Sequence, residues 1–101
     1  MARQEPGFAP DALRQLKGWR AFDQNIVLDG IKKHLVGGDP LAATRNKFRL
    51  RRTSHWADYE LRIGDWRVFY RVDDATKLVT IMLVGRKKGN VLIVDNEEFE
   101  I

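Results

Sequence analysis

Cysteine is absent from the 101-residue chain, which excludes disulfides, thiolate metal sites and a cysteine nucleophile. Histidine is scarce. His34 and His55 are the two, well separated in the chain, which argues against a metal centre. Long apolar runs are missing as well: the longest, Leu78 to Gly85, falls far short of the roughly 20 residues that a helix needs to cross a bilayer. No basic-then-apolar leader opens the sequence. The expectation is a soluble, cytoplasmic protein with no membrane association.

What is present reads as one domain over residues 1–101. Apolar residues make up 44% and charged residues 32%, a balance of folded globules rather than disordered chains. The formal charge of +4 is unevenly spread. Thr44 to Asn90 holds 12 Lys and Arg against 5 Asp and Glu, a surplus of +7. The first 43 residues carry 6 against 5, and the last 11 carry only the acids Asp95, Glu97, Glu98 and Glu100. A field so segregated suits either an anionic partner for the middle of the chain or a solvated sheet face.

The most regular pattern runs from Tyr59 to Val72. Tyr59, Leu61 and Ile63 alternate with Glu60 and Arg62; after Gly64-Asp65, Trp66, Val68, Tyr70 and Val72 alternate with Arg67, Phe69 and Arg71. Successive side chains of a strand take opposite sheet faces, so this is a pair of half-buried strands. Gly64 supplies the positive φ of a two-residue turn between them. One face offers aromatic and branched groups to a core; the other is expected to display arginines beside a solvent-accessible Phe69.

Upstream, a brief strand near 5–9 precedes a helix that starts at Pro10-Asp11, with Asp11 as N-cap or first-turn acid. Ala12, Leu13, Leu16 and Trp19 form its apolar face. A break near Gly18–Phe22 leads to a second helix ending at about Val36. Its apolar side is Phe22, Ile26, Val27, Leu28, Ile31 and Leu35, and Gly37-Gly38-Asp39-Pro40 stops it. Residues 45–52 alternate basic with apolar as a further strand. Leu78 to Val84 is apolar enough to be buried on both faces, and 85–90 reads as a basic turn. Val91–Val94 would add an edge strand, and Phe99 and Ile101 are spaced to anchor the acidic tail. The architecture expected is α+β: two N-terminal antiparallel helices packed on one face of a mostly antiparallel, four- to five-stranded sheet.

Residues 60–74, Glu-Leu-Arg-Ile-Gly-Asp-Trp-Arg-Val-Phe-Tyr-Arg-Val-Asp-Asp, then an apolar strand closing on Leu-Val-Gly-Arg-Lys, resemble the RelE/ParE superfamily of bacterial toxins. The likeness extends from Phe8 to about Lys88. It implies the toxin of a type II toxin–antitoxin pair with a cognate antitoxin as partner. Three activities are compatible with it. One is a ribosome-dependent mRNA endoribonuclease that inhibits translation, another is a DNA gyrase inhibitor, and the third is a member that only binds its antitoxin. No cofactor or metal is implied.

Metal-independent RNA cleavage requires a group that activates the 2′-hydroxyl, an acid for the leaving oxygen and cations at the phosphate. Arg67 matches the arginine that the family's ribonucleases use at the scissile phosphate, and its planar fork suits that task. As an ordinary strand arginine it would instead pair with Glu60 across the hairpin. Glu60 and Arg62 stand where RelE-like members carry lysines. Arg62 keeps the charge but deprotonates far less readily, so it fits a phosphate clamp; Glu60 fits a base or a cross-strand ion pair. Arg86 and Lys87 match the family's basic pair after the last core strand, Lys87 joining the catalytic set and Arg86 the phosphate contacts. Arg45, Lys47, Arg49, Arg51, Arg52 and Arg71 make the wider RNA-binding footprint, and the first five suit an acidic antitoxin segment equally well. The family's C-terminal Tyr or His has no counterpart in 90–95, and His55 and Trp56 are the substitutes at hand for a proton donor and a stacking surface.

Overall fold

The structure, a computed structural model, describes residues 6–37, 44, 46–50, 57–73, 75–95 and 97–99. Pro10 at the first helical position has its φ preset for a helix, and α1 runs Pro10–Lys17. Ala9 is the N-cap residue, so Asp11 serves as the first-turn acid, pairing with Arg14 at 3.4 Å. Buried Ala12, Gln15 and Leu16 face the sheet, whereas Leu13 is exposed. Helix α2, Ala21–Ile31, continues as a π-helical turn over Lys32–Val36, reaching the end expected from the glycines that follow.

Val27, Ile31 and Leu35 are its buried stripe. Phe22, expected on that side, is 69% exposed. It lies five residues before Val27, about 140° round the helix from the stripe.

Seven strands are found among the described residues: β1 Gly7–Phe8, β2 Lys47–Arg49, β3 Tyr59–Ile63, β4 Trp66–Val72, β5 Val79–Lys88, β6 Val91–Val94 and β7 Glu97–Phe99. They form one sheet in the order β2-β3-β4-β5-β6-β7, all antiparallel, with β1 alongside β5 in parallel. The sheet is wider than the four to five strands expected. The acidic tail contributes a strand of its own, pairing Leu92, Ile93 and Val94 with Phe99, Glu98 and Glu97. Its acids are tolerated because both are exposed at an edge.

β5 also outruns its expected end at Val84. Arg86, Lys87 and Lys88 pair with Ile93, Leu92 and Val91, so the basic run is strand rather than turn. The turn is Gly89-Asn90, with Gly89 at φ +59°, and it repeats the geometry of Gly64 at φ +57°.

The sheet is covered on both faces. On one, Leu61, Val68, Tyr70, Val79, Ile81 and Val84 meet Ala12, Leu16, Val27, Ile31 and Leu35 of the helical layer. There Gly30 sits so close to β3 that a Cβ would overlap the Ile63 side chain. On the other face a smaller cluster joins Ala57, Phe69, Leu83 and Val94, flanked by Leu50, Leu92 and Phe99. Phe69 is therefore 3% exposed and not the solvent-accessible ring that alternation alone suggested. The irregularity between Phe69 and Tyr70 pairs them with Leu83 and Ile81, skipping Met82. Such a bulge lets β4 and β5 keep an apolar partner on each face.

Candidate nucleic-acid interface

Strand parity places Glu60, Arg62, Arg67, Phe69 and Arg71 on the face away from the helices. The register sets Glu60 opposite Phe69, and Arg62 directly opposite Arg67. Like charges at one cross-strand position repel, a cost that an anion bound beside both would offset. Glu60 does not reach across to Arg67. Its Oε2 accepts from Nε of Arg62, on its own strand, at 2.8 Å. Arg67 folds back over the turn, and its Nη1 donates to the carbonyls of Gly64 at 2.7 Å and Trp66 at 3.0 Å. Both bonds leave from one nitrogen, so the Nε–Nη2 edge remains to grip an oxyanion in the two-pronged manner of guanidinium.

A concavity of about 220 Å³ opens on this face. Glu60, Arg67, Lys87 and Asn90 supply its polar lining, over an apolar floor of Leu50, Phe69, Leu92 and Phe99. Lys87 arrives there because β5 continues past Gly85; its backbone N–H donates to Asp65 O at 2.7 Å. Gly85 lies opposite Arg67, and a Cβ on it would come within 2.7 Å of Ile93 O and 2.9 Å of Val94 Cγ2. Only glycine lets β6 close this tightly beside the arginine. The result is a carboxylate, a guanidinium and an ammonium around a partly apolar hollow, a set suited to moving protons at a phosphodiester.

The remaining cations divide. Arg86 neighbours Lys87 in sequence but alternation carries it to the helix face, 5.2 Å from the Trp66 ring centre, so it does not join the concavity. Lys47 corrects the sequence reading most clearly. Its register partner is Leu61 of the helix-side core, it is 2% exposed, and its Nζ donates to His34 O at 2.8 Å. That ammonium caps a carbonyl of the π-helical turn instead of tracking a phosphate backbone. Burial, then the charges of Lys33 and Lys47, hold the His34 pKa below the usual histidine range. Arg49 shares the parity of Lys47 and is exposed; Arg71 is half-buried opposite Thr80 on the outer face. Arg45, Arg51, Arg52, His55 and Trp56 lie outside the described residues.

Sequence reasoning missed Asn90, Leu50 and Leu92 in the lining. Gly89-Asn90 was legible as a turn dipeptide, but which way its Asn faces depends on the length of β5. Phe99 had a signal, as an anchoring residue of the tail.

The family model of the ParE toxin of type II toxin–antitoxin systems, parDE, matches residues 8–91. The chain belongs to the ParE toxin family. Its matched region contains Glu60, Arg62, Arg67, Lys87 and Asn90, and ends before the floor residues Leu92 and Phe99. Among solved structures, this ParE-family chain is similar to the toxin–antitoxin complex RelBE2 from Mycobacterium tuberculosis. The two share 25% identity over 85% of this chain and 100% of that one, with a TM-score of 0.67. No curated protein matches the sequence. The ParE-family member is thus a toxin of the type II toxin–antitoxin class, built as helices on a mostly antiparallel open sheet. Among the described residues no helix is long and apolar enough to cross a membrane.

Proposed function

We propose that this toxin is an endoribonuclease that cuts mRNA on the ribosome, with the sheet-face concavity as its active site. The observation that carries the reading is the convergence of Glu60, Arg67 and Lys87, from β3, β4 and β5, on one hollow of about 220 Å³. Glu60 takes the proton of a 2′-hydroxyl, whose oxygen attacks the adjacent phosphorus. Arg67 binds the non-bridging oxygens through its Nε–Nη2 edge as charge accumulates there. Lys87 donates a proton to the departing 5′-oxygen, leaving a 2′,3′-cyclic phosphate and a 5′-hydroxyl. Arg62 holds the Glu60 carboxylate in place and adds positive charge next to the phosphate. A cognate antitoxin is the proposed partner, a reading supported by the RelBE2 neighbour being a toxin–antitoxin complex.

A second reading, inhibition of DNA gyrase, draws support from the ParE description of the family and from a concavity lining with neither Tyr nor His among the described residues. Inducible expression in bacteria separates the two. The ribonuclease reading expects growth arrest with messages cut inside coding regions, both relieved by Arg67→Ala. Arrest with intact mRNA, an SOS response and cleaved DNA–gyrase complexes would overturn it.

A further inference from the structure

The helix face carries a second and larger hollow, of about 330 Å³, where the α1–α2 connection meets the ends of β4, β5 and β6. It lies across the sheet from Glu60, Arg67 and Lys87, so its role is independent of whether that face cleaves RNA. Trp66 is its aromatic centre. The Trp19 ring packs against it with centroids 4.3 Å apart and planes inclined by 36°, and the Arg86 guanidinium covers it from 5.2 Å. Gln24 Nε2 donates to Trp19 O at 2.7 Å, fixing the connection that presents Trp19.

Two features of the lining point to a ligand site. The first is Gln15, which is 6% exposed. Its Oε1 accepts from Val84 N at 2.9 Å, which fixes the amide and leaves Nε2, with no acceptor among the described residues, for an occupant of the hollow. The second is a division among the cations. Arg14 is held by Asp11 and Asp95, and Arg20 by Asp23. Arg86 and Lys88, two apart on one face of β5, have no carboxylate partner among the described residues.

We propose that this hollow binds a nucleotide: the base against Trp19 and the Trp66-backed Arg86, a base carbonyl on Gln15 Nε2, and the phosphate on Lys88 and Arg86. Aromatic and guanidinium planes stack unpaired bases, and the Gln15 amide, fixed by its bond to Val84 N, offers a donor to a base carbonyl. The two cations supply the phosphate contact. An acidic peptide would use the cations and could accept from Gln15, but it would leave the planar stack unused. The volume also falls at the small end of ligand sites, enough for one nucleotide and too little for a length of chain.

The test is tryptophan fluorescence of the full chain in a Trp56→Phe background, so that Trp19 and Trp66 report. Uridine and guanosine 5′-monophosphates are titrated beside inorganic phosphate and tetraglutamate. Saturable quenching by at least one monophosphate, absent with phosphate or tetraglutamate, is expected. Arg86→Gln and Lys88→Gln should each weaken it about tenfold, the worth of one charge-assisted hydrogen bond. Chemical-shift mapping provides a second measurement, with the Gln15 side-chain amide moving on nucleotide addition. No quenching at about 10 mM nucleotide, weaker than the millimolar end of specific binding, would overturn the proposal. So would equal quenching by phosphate, a response to tetraglutamate alone, or affinities unchanged in both variants.

Discussion

Arg67 and Arg62 occupy one cross-strand position and carry the same charge, yet their hydrogen bonds assign them different work. Arg67 is fixed through Nη1 by two turn carbonyls, which presents a flat two-donor edge that lysine lacks. Arg67→Lys should therefore reduce message cleavage in a translating extract by about 10²-fold or more, the usual cost of removing one preorganised oxyanion donor. In the proposed mechanism Arg62 would act through its bond to Glu60, so Arg62→Lys should cost less than about tenfold, since a positive partner for the carboxylate remains. Equal losses in the two variants would refute the division. The melting temperature should barely move in Arg62→Lys, where the side chain is exposed, and fall slightly in Arg67→Lys, which disturbs the carbonyl bonds of a half-buried guanidinium. At this scale the sequence was most readable where chemistry and alternation coincide. Glu60, Arg67 and Lys87 all sit on regular strands, so parity alone put the first two on one face. Lys47 was misread for the same reason: alternation fixes which neighbours share a face, but only the pairing with Leu61 tells which face is covered.

Elements are joined here by close approaches that leave no room for a methyl group. Gly30 brings α2 against Ile63 of β3, and Gly85 brings β5 against Ile93 O and Val94 of β6. Gly30→Ala would gain helix propensity of about 1 kcal/mol but must displace Ile63 within a packed core, an overpacking cost of typically 1–3 kcal/mol. A net fall in the urea midpoint is expected. In Gly85→Ala the obstacle is largely backbone, so β6 must shift, and cleavage should fall along with stability because Leu92 and Asn90 move with it. A Gly85→Ala protein with unchanged midpoint and activity would contradict this packing. Neither glycine stood out in the sequence. Gly85 read as the end of a strand, because a Gly followed by three basic residues is also what a surface turn looks like. The pairing of Arg86, Lys87 and Lys88 with β6 is a tertiary fact, visible only once the acidic tail and β6 have found their places.

Taken as a whole, the molecule puts its one sheet between two cores, and Tyr70 lies fully buried near the middle of it, stacked on Tyr59 with ring centres 5.3 Å apart. Burial, then Tyr59, raise the phenol well above its ordinary range. A raised pKa means that the folded state favours the neutral form. Its stabilising share is complete below the unfolded value of about 10 and is lost as pH rises beyond it. Circular dichroism against pH should show alkaline unfolding that begins above about pH 10, with Tyr70→Phe moving the midpoint upward. A midpoint unmoved by that substitution would remove Tyr70 as the cause. The order of elements, the helical layer and the central β5 were legible because periodicity encodes them locally. The second core was not, since it is assembled from Leu50, Phe69, Leu83, Leu92 and Phe99, scattered over half the chain.

The acidic last strand gives that sheet an asymmetric rim. Glu97 and Glu98 are exposed at the β7 border, while Arg62 and Arg67 stand opposite each other beside the β3–β4 turn on the far side of the hollow. On the ribonuclease reading proposed above, an RNA strand nearing the glutamate border would be repelled before it met the floor, whereas one nearing the hairpin would be drawn inward. That reading therefore expects a preferred direction of threading, set by fixed charge and weakened by salt.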